Sequence, residues 1–130
     1  MVRIEHIALW TDDIDRLAGF YAGYFGAGVG PLYTNPARGY ESRFLTFDGG
    51  ARLELMKTSM FRPVGLQPGA QRMGLTHLAI SLGEERRVDE LTGVLRQAGF
   101  AVVDGPRRTG DGYYESVVLD PDGNRVELTV

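Results

Sequence analysis

The chain contains two histidines, His6 and His77, and each lies in a matching alternation: Ile4-Glu5-His6-Ile7-Ala8-Leu9 and Leu75-Thr76-His77-Leu78-Ala79-Ile80. The offset is 77 − 6 = 71 residues. A second matched pair carries carboxylates: Gly50-Ala51-Arg52-Leu53-Glu54-Leu55 corresponds to Gly123-Asn124-Arg125-Val126-Glu127-Leu128, with an offset of 127 − 54 = 73. Two imidazoles and two carboxylates form a donor set for one divalent ion of borderline softness, Zn, Ni, Co, Mn or Fe(II), with positions left for water or substrate. Taken singly, each residue has a plainer explanation. A lone strand histidine is most often a satisfied, semi-buried polar group, and a strand glutamate most often faces solvent. Their symmetric placement in a repeat favours the joint reading, in which His6, Glu54, His77 and Glu127 converge on a single cation. With no cysteine present, thiolate ligands, disulfides and cysteine nucleophiles are excluded.

The elements that must position these residues follow from hydrophobic periodicity. Val2 to Thr11 alternates as a strand, and Asp12 or Asp13 caps a helix with apolar positions Ile14, Leu17, Ala18, Tyr21 and Phe25, stopped by Gly26. Val29–Thr34, Glu41–Asp48 and Arg52–Thr58 read as strands separated by turn residues. Residues 59–73 carry Pro63, Gly65, Pro68 and Gly69 without sustained periodicity, as a linker or a lid would. The pattern then restarts. Leu75–Leu82 is a strand, a helix from about Glu84 carries Val88, Leu91, Leu95 and Ala98 to Gly99, and Ala101–Asp104, Tyr113–Leu119 and Asn124–Val130 are strands.

The result is an α+β chain of two βαβββ modules, about 1–58 and 74–130, in a single domain spanning residues 1–130. Strand alternation puts His6 on the side of Ile4, Ala8 and Trp10, and Glu54 on the side of Arg52 and Met56. His77 goes with Ala79 and Ser81, and Glu127 with Arg125 and Thr129. Each candidate ligand thus occupies the more polar face of its strand, away from the face that packs on a helix.

Bulk properties narrow the partners. A length of 130 residues and a 43% hydrophobic composition support one ordinary core. A net charge of −3, with basic runs no longer than Arg86-Arg87 and Arg107-Arg108, offers nucleic acid no binding track. No apolar run approaches the roughly 20 residues that span a bilayer, and the N-terminus has no signal-peptide pattern, so a cytoplasmic location is expected.

Paired βαβββ modules with His, Glu, His and Glu on their first and last strands resemble the vicinal oxygen chelate superfamily, which includes glyoxalase I, bleomycin-resistance proteins and extradiol dioxygenases. The segment Asp120-Pro121-Asp122-Gly123-Asn124-Arg125-Val126-Glu127-Leu128 is similar to that superfamily's turn into its last ligand strand. The resemblance implies curved mixed sheets around a metal cleft, and commonly a homodimer. It also implies a branch. Extradiol dioxygenases and fosfomycin-modifying thiol transferases typically leave the position of Glu54 without a ligand, whereas bacterial-type glyoxalase I uses His, Glu, His, Glu. The function implied is metal-dependent proton transfer by a glyoxalase-like isomerase or lyase acting on a small oxygenated molecule, with Glu127 or Glu54 as the base and Glu127 favoured by resemblance. A drug- or natural-product-binding resistance protein is the alternative, and an Fe(II) dioxygenase is disfavoured by Glu54. The arginine and asparagine with which bacterial glyoxalase I contacts glutathione correspond to Trp10 and Thr58 here, which points to a less anionic ligand lined by Trp10, Met56 and Phe61. Met60 is a further candidate, although such a cluster is more often ordinary core.

Overall fold

In the computed structural model, which describes residues 1–130, Asp13 opens the first helix: its side-chain Oδ1 accepts from the Arg16 backbone N–H at 3.0 Å. The helix, α1, runs Ile14–Phe25 and ends at Gly26, whose φ of 69° is the left-handed conformation a glycine supplies without strain. Its buried stripe is Ile14, Leu17, Ala18, Phe20 and Tyr21. Around it lie β1 (His6–Trp10), β2 (Gly28–Val29), β3 (Tyr33–Asn35), β4 (Tyr40–Thr46) and β5 (Arg52–Thr58). These form one mixed sheet of order β1-β5-β4-β2, with β3 also pairing β4. β1 and β5 are parallel, and the remaining pairs are antiparallel. α1 packs on β4 and β5, where Leu45, Leu53 and Leu55 are buried. Each such leucine contributes on the order of 1.5–3 kcal/mol by burial.

The second half repeats the plan with β6 (Leu78–Ser81), α2 (Glu85–Gln97), β7 (Val102–Arg108), β8 (Tyr114–Leu119) and β9 (Arg125–Thr129). Its sheet order is β6-β9-β8-β7, with β6 and β9 parallel. α2 packs on β7, β8 and β9 through Val88, Thr92 and Leu95, against Val118, Val126 and Leu128. The architecture is therefore α+β, with two mixed sheets. By internal contacts the chain divides into two units, Met1–Gly65 and Leu66–Val130. The aperiodic segment 59–73 is shared between them, and it forms neither helix nor strand. No helix is long and apolar enough to cross a membrane.

The structure departs from the sequence expectations at element edges. The strand anticipated over Val29–Thr34 splits into β2 and β3 around Gly30-Pro31-Leu32, since Pro31 has no N–H to donate to a ladder. The anticipated strand Leu75–Leu82 shortens to Leu78–Ser81, so His77 immediately precedes β6. In contrast, the strand foreseen as Ala101–Asp104 continues to Arg108 through a bulge. Gly105, at φ 71°, makes the bulge possible, because a Cβ there would stand 2.5 Å from the Glu115 carbonyl oxygen.

Candidate metal centre

In the first unit the parallel register aligns Ala8 of β1 with Glu54 of β5, and His6 with Arg52. Residues in register share a face, and His6 lies two residues before Ala8 on that same face. The small methyl of Ala8 leaves the Glu54 carboxylate free to lean along the strand toward the imidazole. His6 Nε2 and Glu54 Oε2 stand 3.6 Å apart. The imidazole side chain is 40% exposed and the carboxylate 14%, so the pair combines a semi-buried anion with an accessible ring.

Side chains around His6 fix its orientation. On the other side of β5, Phe44 is in register with Glu54, and its ring meets His6 edge-to-face at 5.4 Å. The Arg52 guanidinium lies over the Phe44 ring, 4.0 Å from its centroid. Glu5 closes the circuit, with Oε2 2.5 Å from His6 Nδ1 and Oε1 accepting from Arg52 Nε at 2.8 Å. The hydrogen bond with His6, together with the Arg52 charge and against the opposing effect of desolvation, holds the Glu5 carboxyl below its ordinary range.

The second unit repeats the register: Ala79 of β6 aligns with Glu127 of β9. His77 Nε2 and Glu127 Oε2 stand 3.2 Å apart. The strand that carries Glu127 is launched by a tight turn organised on Asp120. One of its carboxylate oxygens accepts from the backbone N–H groups of Asp122 and Asn124, both at 2.9 Å, and the other accepts from the Asn124 side-chain amide. Gly69, from the aperiodic segment, donates its N–H to the Gly123 carbonyl at 2.9 Å, and its carbonyl accepts from Arg125, so residues near 69 are tied to this turn.

The surroundings of the second pair differ. Val117, not an aromatic ring, is in register with Glu127. Glu115 of β8 shares a side-chain hydrogen bond with Glu127, and burial, followed by the Glu127 charge, raises the Glu115 carboxyl above its usual range. Thr76 occupies the position equivalent to Glu5, and its hydroxyl donates to Gln71 Oε1 at 3.2 Å.

Two ligand atoms held about 2.0–2.2 Å from a common ion are separated by roughly 3–3.5 Å. The Nε2 to Oε2 separation of 3.2 Å in the second unit lies within that spacing and the 3.6 Å of the first lies just beyond it; imidazole with carboxylate suits a borderline divalent ion, so the residues present fit such a metal. Neither unit gathers three or more His, Cys, Asp or Glu side chains into a metal-holding group; each supplies a pair.

The anticipated ligand-lining residues Trp10, Met56 and Phe61 come together at the end of the first sheet. Trp10 is in register with Met56 and stacks edge-to-face with Phe61 at 4.8 Å. Trp10 and Phe61 are about half exposed, unlike core aromatics such as Tyr21. Thr58 is engaged locally: its hydroxyl donates to the Gly39 carbonyl at 2.8 Å and accepts from the Met60 N–H. Met60 itself is largely exposed, with its sulfur beside Gly39.

Sequence reasoning missed Glu5 and Glu115. Strict alternation assigns Glu5 to the face opposite His6, but β1 begins at His6 and leaves the preceding residue free to turn back. For Glu115 the signal lay in the alternation of Tyr114–Leu119, without the cross-strand register that brings it beside Glu127.

The sequence matches the Glyoxalase/Bleomycin resistance protein/Dioxygenase superfamily over residues 3–128. No curated protein matches it. Among solved structures, it is similar to a glyoxylase/bleomycin resistance protein/dioxygenase domain from Frankia sp. EAN1pec (TM-score 0.82, 18% identity, covering 100% of this chain and 98% of that one). It is also similar to the trypanothione-dependent glyoxalase I of Leishmania major (TM-score 0.75, 24% identity, 99% of this chain and 86% of that one). A glyoxalase I variant from Zea mays aligns at 24% identity and TM-score 0.74, with 98% of this chain covering 44% of that longer one. At these identities the structural likeness speaks for the fold, and the match over residues 3–128 shows that the chain belongs to the Glyoxalase/Bleomycin resistance protein/Dioxygenase superfamily.

Proposed function

We propose that the chain is a metal-dependent, glyoxalase-like isomerase or lyase that moves a proton within a small oxygenated substrate, which need not be a glutathione adduct. The observation that carries this reading is the repeated imidazole–carboxylate pair, His6–Glu54 at 3.6 Å and His77–Glu127 at 3.2 Å, each built on the same parallel register with alanine beside the glutamate. Divalent-metal and small-molecule binding are general in the superfamily. The ion, Zn, Ni, Co, Mn or Fe, would be held by His6, Glu54, His77 and Glu127. Homodimer formation belongs to the same proposal, by resemblance, and a cytoplasmic location is carried with it from the sequence reading.

When bound, a divalent ion supplies Lewis-acid stabilisation of the negative charge that develops on substrate oxygen as a proton leaves the neighbouring carbon. One glutamate takes that proton and returns it to the adjacent carbon, while the other remains a ligand. Glu127 is the preferred base and Glu54 the alternative. Trp10, Met56 and Phe61 present an apolar flank that favours an aromatic or hydrophobic substituent. Thr58, whose hydroxyl is already committed to Gly39 and Met60, offers little to a peptide-like thiol.

The test is metal content of protein purified without chelator, followed by turnover of hemithioacetals made from several thiols. About one metal per chain is expected, sharply reduced by Glu54→Ala or His77→Ala. Trace metal, unchanged by either substitution, would overturn the reading. A second reading, sequestration of an aromatic drug or natural product, is favoured by the exposed Trp10–Phe61 pair. It predicts quenching of Trp10 fluorescence by such a ligand without turnover.

A further inference from the structure

The two imidazoles differ in what holds their second nitrogen. A carboxylate only accepts hydrogen bonds, so the 2.5 Å contact between Glu5 Oε2 and His6 Nδ1 requires the proton of a neutral imidazole to sit on Nδ1. Nε2 then carries the lone pair, and Nε2 is the atom facing Glu54. Two unprotonated acceptors facing each other repel; a cation between them turns that repulsion into coordination. Glu5 is itself anchored, by Arg52 Nε at 2.8 Å and Arg52 Nη2 at 2.6 Å, and Arg52 is seated on the Phe44 ring. His77 has no equivalent carboxylate beside it, because Thr76 stands at that position and its hydroxyl is turned to Gln71.

We infer that Glu5 is a positioning residue, holding His6 in the Nδ1–H tautomer with Nε2 presented as a metal ligand, so that the first imidazole is pre-organised and the second is not. Partners of this kind on the far nitrogen of a ligating histidine fix its tautomer and raise its basicity, and their removal typically weakens metal binding by about 10- to 100-fold. The inference rests on the metal-centre reading above, and it concerns a residue outside the four ligands.

The experiment uses the full chain with ring-15N-labelled histidine, in metal-free form at a pH where both imidazoles are neutral. Nitrogen shifts and ring couplings report each tautomer, and titration with Zn2+ or Co2+ alone reports affinity. In the wild type, His6 should be almost wholly Nδ1–H. Glu5→Ala should release it to a mixture and weaken Zn2+ and Co2+ binding by about 10- to 100-fold. Glu5→Gln keeps an acceptor oxygen and should fall between. The His77 ring signals should not move in either variant, which also verifies the fold at this exposed position. A His6 tautomer indifferent to Glu5→Ala, or unchanged metal affinity in that variant, overturns the inference. Wild-type protein that takes up neither ion overturns the metal-centre reading, and with it any ligand role for His6. That failure is distinguishable, because the tautomer is read before metal is added.

Discussion

Phe44 and Val117 occupy the same place in their ladders, each in register with a candidate glutamate, yet one is an aromatic ring and the other an aliphatic buried beside a third carboxylate. The first unit surrounds its histidine with Phe44, Arg52 and Glu5, whereas the second surrounds its glutamate with Val117 and Glu115. What persists across the repeat is narrower than either environment. It is the parallel pairing of first and last strands, alanine in register with glutamate, and histidine two residues before that alanine. Retention of just those features is what a shared chemical task at Nε2 and the carboxylate would require. A purely structural duplication would be free to lose the histidine while keeping the sheet.

The helices differ in the same way, and this gives the largest expected effect. On α1 the fully buried residue Tyr21 fills its space with a ring, whereas α2 places Thr92 in its buried stripe, and the hydroxyl lies 2.7 Å from Ser116 Oγ and donates to the Val88 carbonyl at 2.5 Å. Replacing Thr92 by Val keeps the shape and removes the hydroxyl, leaving Ser116 Oγ buried without its partner. The expected loss is about 1–3 kcal/mol by chemical denaturation. The double variant with Ser116→Ala should recover most of it. A Thr92→Val protein as stable as wild type would show that the hydroxyl pair is incidental and that the two helix interfaces are energetically alike.

Capping offers a smaller contrast. Asp13 satisfies the Arg16 N–H at the start of α1, whereas Glu84 at the start of α2 makes no side-chain capping bond. Asp13→Ala should lower stability by about 1 kcal/mol, and Glu84→Ser should raise it by up to about 1 kcal/mol, both read as shifts in denaturation midpoint. If both changes are neutral, the helices are held by packing alone and the difference in their caps carries no weight.

The first of these caps was legible in the sequence, since aspartate directly precedes the apolar stripe of α1, as was the αL stop at Gly26. The repeat itself was legible because the same hexapeptides recur, and strand alternation assigned His6 and Glu54 to one face. What stayed hidden was nonlocal. Cross-strand register, which brings Glu115 beside Glu127, is set by pairing between β8 and β9 and leaves no local trace. The reach of β7 to Arg108 was obscured by Gly105-Pro106, residues that ordinarily end a strand and here sit in a bulge. Glu5 was concealed by its own neighbour, because alternation within an ideal strand assigns adjacent residues to opposite faces.

That bulge leads to the smallest effect. Each unit supports the outer part of its sheet with an arginine: Arg43 donates to the Gly30 carbonyl at 3.0 Å in the first, and Arg107 pairs with Asp104 at 2.9 Å across the bulge in the second. The hydrogen bond from Arg107 and its charge, against desolvation, hold the Asp104 carboxyl below its ordinary value of 3.8. A carboxyl whose folded pKa lies below its unfolded value stabilises the fold at pH above the unfolded value, and that contribution disappears as pH falls through the folded one. Asp104→Asn should therefore unfold at a slightly lower temperature than wild type at neutral pH, and the gap should close in acid below the ordinary aspartate range. Because both side chains are substantially exposed, added salt should also narrow the gap. In the first unit Arg43 Nε also stands 3.3 Å from Asp15 Oδ1, so both outer parts carry an arginine–carboxylate pair. An Asp104→Asn deficit that stays constant from neutral pH into acid would show that the bulged edge is not held by charge.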